Sequence, residues 1–66
     1  MDDIWRCTAY DPHGIRRCYG DGIDQNEAAD QCTVEIMDYL KVRPDLGPLD
    51  KWTRKFSTMP ALPDGY

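Results

Sequence analysis

From Ile4 to Asp11 apolar and polar side chains alternate. Trp5, Cys7 and Ala9 fall on one side, and Arg6, Thr8 and Tyr10 on the other. This is the period of a half-buried strand. The next four residues, Asp11-Pro12-His13-Gly14, form a turn signal. Pro12 presets φ, Asp11 can bond its own backbone, and Gly14 can take left-handed geometry, which predicts a type I turn closed by a glycine bulge. Ile15 to Gly20 is the expected return strand. That closure sets Ile15 opposite Asp11, Arg17 opposite Ala9 and Tyr19 opposite Cys7. One face then collects Trp5, Cys7, Ala9, Ile15 and Tyr19, the apolar set, and is expected to be the core face. The other face collects Arg6, Thr8, Tyr10, Arg16 and Cys18. A slip of one residue would exchange the two faces.

Gly20-Asp21-Gly22 is expected to end the strand. Asp24-Gln25-Asn26-Glu27 reads as a capping box, with Asp24 accepting from the amide of Glu27 and Glu27 reaching back. A helix should follow to about Lys41. Ala28, Ala29, Cys32, Ile36, Met37 and Leu40 supply an apolar stripe at helical spacing, while Gln31, Glu35 and Asp38 lie outside it. Lys41 and Arg43 sit where the C-terminal dipole favours cations. Pro44 moves Arg43 out of helical geometry and stops the helix. After the Asp45-Leu46-Gly47-Pro48 loop, two patterns compete. Leu49, Trp52 and Phe56 would share one face of a short helix, the reading favoured slightly here. Trp52, Arg54 and Phe56 would share one side of a third strand.

The fold class is therefore α+β: an antiparallel hairpin of two strands, or three, packed against one long helix, with a short C-terminal helix or strand and an extended tail. Residues 1–59 make a single ββα domain and 60–66 a flexible tail. The expected core is Trp5, Tyr19, Cys32, Ile36, Leu40, Trp52 and Phe56. A core in 66 residues rarely supplies more than about 3–5 kcal/mol without a staple, so docking on a partner or pairing as a homodimer would help.

Charge sharpens this picture. The net charge is −4, which disfavours general attraction to nucleic acid, and its distribution is uneven. Asp24, Glu27, Asp30, Glu35 and Asp38 fall within a stretch of seventeen residues, 24–40, that holds no base. Such a row can present phosphate-like charges to a basic groove, and it also serves simply to keep a small protein dissolved. Arg6, Arg16 and Arg17 cluster in the hairpin. With Tyr10 they offer a second candidate surface, a sheet face that could stack bases of single-stranded nucleic acid.

Catalytic and metal chemistry find little footing. Cys7, His13, Cys18 and Cys32 lack the close pairs of structural zinc sites, and the expected register turns Cys7 and Cys18 to opposite faces. His13 sits at a turn tip with no serine near it in sequence. Cys18 stands beside Arg16 and Arg17, which would favour its thiolate if it were exposed. Gly20-x-Gly22 before a helix lacks the third glycine and the lysine of phosphate loops. No metal, no cofactor and no enzymatic activity are expected. Three cysteines, an odd number, suggest reduced thiols in a cytosol. The acidic start Met1-Asp2-Asp3 does not read as a targeting peptide, and no apolar run is long enough for a membrane span.

A strand pair followed by Gly20, Asp21, Gly22, Asp24, Glu27 and Ala28 resembles the HicB-type antitoxins and the broader double-stranded-RNA-binding-like ββα architecture over about residues 4–40. Size, acidity and architecture also resemble phage-encoded inhibitors of bacterial defence, the anti-CRISPR class among them. That last resemblance implies a non-catalytic inhibitor in the bacterial host cytosol, docked on a larger protein or nucleoprotein complex with a basic groove. The HicB-type resemblance implies a nucleic-acid-binding or antitoxin module working through Arg6, Tyr10, Arg16 and Arg17.

Overall fold

The computed structural model describes residues 3–60. The elements are β1 (Asp3–Tyr10), β2 (Arg16–Gly22), α1 (Gln25–Val42) and β3 (Thr53–Pro60), with single 3₁₀ turns at Pro44–Leu46 and Leu49–Lys51 between α1 and β3. The strands form one antiparallel sheet in the order β2-β1-β3, so β1 is central. The helix packs on one face of that sheet, against β2 and β1. The architecture is α+β with three strands. Of the expected tail, Pro60 closes β3, and 61–66 lie outside the described residues.

The hairpin turn is built around a carboxylate. Asp11 is 2% exposed. Its Oδ1 accepts the His13 amide at 2.8 Å and the Ile15 amide at 2.9 Å. The Asp11 amide donates to the Ile15 carbonyl and the Gly14 amide to the Asp11 carbonyl, both at 2.9 Å. Gly14 takes φ +81°, the left-handed value that closes such a turn.

Ile15 therefore stands across from Asp11 as expected, but the register then departs from the simple count. Tyr10 pairs with Arg16 and Ala9 with Cys18, so Arg17 is an extra residue, a bulge. Its guanidinium Nε donates to Asp11 Oδ2 at 2.9 Å, and its Nη1 to the Tyr39 hydroxyl at 3.1 Å. The buried carboxylate needs this cation, and reaching it costs β2 one place in the ladder. Every later residue of β2 changes face. Cys18, Gly20 and Gly22 turn toward the helix, and Tyr19 and Asp21 turn to solvent. The expected core position of Tyr19 is thus corrected, as is the opposition of Cys7 and Cys18. Ile15, at the mouth of the turn, is also half exposed, because Asp11 fills the space inside.

Gly20-Asp21-Gly22 does not break the strand: Cys7 pairs with Gly20 and Trp5 with Gly22. The two glycines are where the helix sits down. A Cβ on Gly20 would collide with the backbone of Gln31 and Cys32, and one on Gly22 would stand 2.5 Å from the Ala28 nitrogen. Sheet and helix backbones meet there with nothing between them.

The helix begins at the expected cap, Asp24, but the return bond from Glu27 falls on the residue before the cap and not on the cap's own amide. Asp24 accepts the Glu27 amide at 2.8 Å, and Glu27 reaches back to the Ile23 amide at 3.3 Å. It runs one residue beyond Lys41 and ends ahead of Pro44. Ala28, Cys32 and Ile36 are buried from it, while Met37 is exposed.

The segment after the helix forms two 3₁₀ turns and then a strand, in place of the slightly favoured short helix. Trp52 Nε1 donates to the Leu46 carbonyl at 2.8 Å, and its ring meets Tyr39 edge-on at 6.1 Å between centroids. From Thr53 onward the chain pairs with all of β1, from Tyr10↔Thr53 to Asp3↔Pro60. The open edge of β1 outweighs the weak helical pattern of a stretch that contains Thr53, Ser57 and Thr58. The buried core comprises Cys7, Ala9, Ala28, Cys32, Ile36, Leu46 and Trp52, with Trp5, Cys18, Tyr39, Leu40 and Leu49 packed partly against it. Phe56, expected in the core, is 43% exposed. It lies on the helix side of β3, paired with Cys7, but the helix stands over the other two strands.

Candidate functional site

Two chemically opposite surfaces lie on the two sides of the molecule. On the helix, Asp24, Glu27, Asp30, Glu35 and Asp38 are all exposed. Asp24, Glu27, Gln31, Glu35 and Asp38 recur at steps of three and four, so they run as one stripe about 21 Å long. Asp30 lies alongside it. Not every carboxylate is equally free. Asp24 is occupied as the helix cap, and Lys41 Nζ stands 3.6 Å from Asp38 Oδ1 with both side chains largely in water.

Sequence reasoning missed two apolar members of this surface. Val34 is 50% exposed and Met37 53% exposed. Val34 is four residues from both Asp30 and Asp38, so it stands among the acids. The visible sign was that Val34 falls off the core stripe of Ala28, Cys32 and Ile36.

The second surface is the sheet face turned away from the helix. The register arranges it as three rows across the three strands. Asp21, Arg6 and Ser57 form one row, Tyr19, Thr8 and Lys55 the middle row, and Arg16, Tyr10 and Thr53 the third. Arg6 is clamped, its Nε and Nη2 donating to the two oxygens of Asp21 at 2.7 and 2.9 Å. The guanidinium holds the Asp21 carboxyl below the usual carboxylate range. It also lies 4.1 Å from the centre of the Tyr19 ring. Lys55 Nζ stands 5.2 Å from the centre of the Tyr10 ring. Tyr19 and Lys55 were not among the expected members of this face. Tyr19 was placed inside by the uncorrected register, and Lys55 lies in the segment read as helix.

No family model, no curated protein and no solved structure matches the chain. The site therefore rests on its own geometry.

Arg6, Tyr10 and Arg16 share the open face as expected. Arg17 does not join them: it turns to Asp11 and Tyr39 on the helix side. The three thiols instead converge on that side, with Cys7 and Cys32 buried and Cys18 half-buried. Burial pushes the Cys18 thiol up, and Glu35 and Cys7 add to the effect. Arg16 and Arg17 thus do not produce a reactive thiolate there. Burial pushes Cys32 up to about 12, with the neighbouring Cys7 thiol contributing. Among the described residues, no three His, Cys, Asp or Glu side chains stand close enough together to hold one metal ion. His13 is exposed at the turn tip, with no hydrogen bond to its ring among the described contacts. No described helix is long and apolar enough to cross a membrane.

Proposed function

We propose that this protein is a small non-catalytic binding protein that inhibits or modulates a larger protein or nucleoprotein complex through its acidic helix face. A phage-encoded anti-defence inhibitor of the anti-CRISPR kind is the class that fits the reading best. The observation that carries it is the composition of the helix surface: five exposed carboxylates with the half-exposed Val34 and Met37 among and beside them. Carboxylates alone would only keep the protein dissolved. Apolar side chains inside a charged surround are the usual make-up of an interface, where the charges steer and the apolar groups hold. The partner groove would be lined by Lys and Arg, and the acid row would occupy the place of a nucleic-acid backbone.

The test is capture from bacterial lysate by the wild-type protein and by the Glu35→Lys/Asp38→Lys double variant, followed by affinity measurement on the captured partner at several salt concentrations. Charge reversal should weaken binding at least tenfold and flatten its salt dependence. Val34→Ser should weaken it through a faster off-rate at unchanged salt dependence. Unchanged affinity in the double variant would remove the helix from the interface.

A further inference from the structure

We infer that the open sheet face is a second, independent binding surface, one that takes a short stretch of single-stranded nucleic acid. Among the described residues the face carries Arg6, Arg16 and Lys55 against one carboxylate, Asp21, in a protein whose net charge is −4. The folded chain has thus sorted its charge: the acid row lies on the helix layer, and these cations lie on the opposite side of the sheet. Asp21 cancels Arg6 in their clamp, so Arg16 and Lys55 supply the net positive charge. Two cations outside that clamp are too few to hold a polyanion by themselves, and the rest of the face must contribute.

It offers two aromatic rings. Tyr19 is 51% exposed, and Tyr10 is partly exposed. Tyr19 stands opposite Thr8, two residues from Tyr10 on the neighbouring strand. This makes the rings diagonal neighbours, about 7–8 Å apart at the backbone. That is a spacing at which successive splayed bases can each find a ring. Arg6 supports Tyr19 from one side and is itself fixed by Asp21, so the ring is held before any ligand arrives. Beside it runs a groove of about 440 Å³ lined by Arg6, Thr8, Arg16 and Tyr19 of this face, together with Arg17 and Cys18, whose side chains turn to the helix side. Thr8, Thr53 and Ser57 add hydroxyls that can bond base edges or phosphates. An acidic peptide would use the two cations and leave the rings idle. A duplex would hide its base faces. The single strand uses both features.

The test is fluorescence anisotropy of the full chain with a labelled oligothymidylate of about twelve nucleotides. Binding should be micromolar at about 50 mM salt, with a log–log salt slope near −1.4, the value for two phosphate contacts on a single strand. Tyr19→Ala and Tyr10→Ala should each weaken it about tenfold, and Tyr19→Phe should restore it. Circular dichroism of each variant checks that the fold is retained. Glu35→Lys/Asp38→Lys, on the other face, should bind at least as well as wild type, so failure here and failure of the helix interface are separate results. Absence of binding at several hundred micromolar protein would overturn the proposal. So would indifference to both tyrosine substitutions, or equal displacement by polyglutamate and by unlabelled oligothymidylate.

Discussion

β2 and β3 both pair with β1, yet only β2 lies close under the helix. The strand with the larger apolar side chain is the one left open. Phe56 on β3 faces the helix side and remains 43% exposed, while β2 offers Gly20 and Gly22 and is covered. Helix placement is therefore decided by how near two backbones can come, and apolar area on the strand takes second place. Backbone contact along β2 leaves room for Ala28, Cys32 and Ile36 to reach Cys7 and Ala9. A residue of Phe56's size under the helix axis would have lifted it away from them.

The contrast can be broken most severely at Gly20. Gly20→Ala places a methyl against the Gln31 and Cys32 backbones, which cannot yield as a flexible side chain would. The expected loss exceeds about 3 kcal/mol, close to the whole stability of a domain this size. Chemical denaturation reads it directly, and a variant of near wild-type stability would refute the tight seat on β2.

Next comes Trp52→Phe, at the entry to β3. It keeps most of the apolar bulk but leaves the Leu46 carbonyl without its indole donor. A cost of about 1–2 kcal/mol is expected, with faster amide exchange in β3 than in β2. Uniform exchange across the sheet would dissolve the distinction between the strands.

The Asp11 carboxylate that anchors the bulged Arg17 gives a pH test. Burial alone would push the Asp11 carboxyl up, but the Ile15 amide, the Arg17 guanidinium and the His13 amide hold it below its ordinary value. A carboxyl depressed in the folded state adds stability above its unfolded pKa, and that contribution fades as pH falls through the folded one. Wild-type melting temperature should therefore drop below about pH 4, and Asp11→Asn should show a flatter profile from a lower starting point. Parallel profiles would take Asp11 out of the linkage. The smallest effect belongs to Phe56→Ser. Already open to solvent, this position should cost under about 1 kcal/mol; a loss as large as that at Trp52 would mean that β3 is packed more tightly than its exposure implies.

Much of this was legible in the residues. Alternation located β1, the capping box placed the start of the helix within a residue, and Pro44 marked its end. The turn chemistry of Asp11 and Gly14 was also readable. What escaped was the bulge. Nothing in the pattern 15–20 shows that Arg17 must leave the ladder to meet a carboxylate that only the folded turn buries. A usable clue lay further on: Cys18, Gly20 and Gly22 share one parity, and two glycines in step just ahead of a helix mark the side it approaches. Given that reading, Tyr19 and Asp21 face outward and Arg6 finds its counter-ion. The acid row was plain from spacing, whereas the exposure of Val34 and Met37 depends on which arc of the helix the sheet leaves free. Residues 49–58 were ambiguous because a helical triad and a strand alternation share Trp52 and Phe56, and the vacant edge of β1 decides between them only after folding.

The unpaired Arg17 also makes the protein's outward character a matter of parity. Drawing that residue into the ladder, opposite Ala9, would rotate the rest of β2 by half a turn, bringing a thiol to the exterior and a phenol ring inward, and setting side chains where the helix now rests on bare backbone. Point substitutions can tune either surface by degrees. A change of pairing at this place would exchange one for another at a stroke, so natural variants should keep Asp11 and Arg17 together, the contact that holds residue 17 out of the ladder.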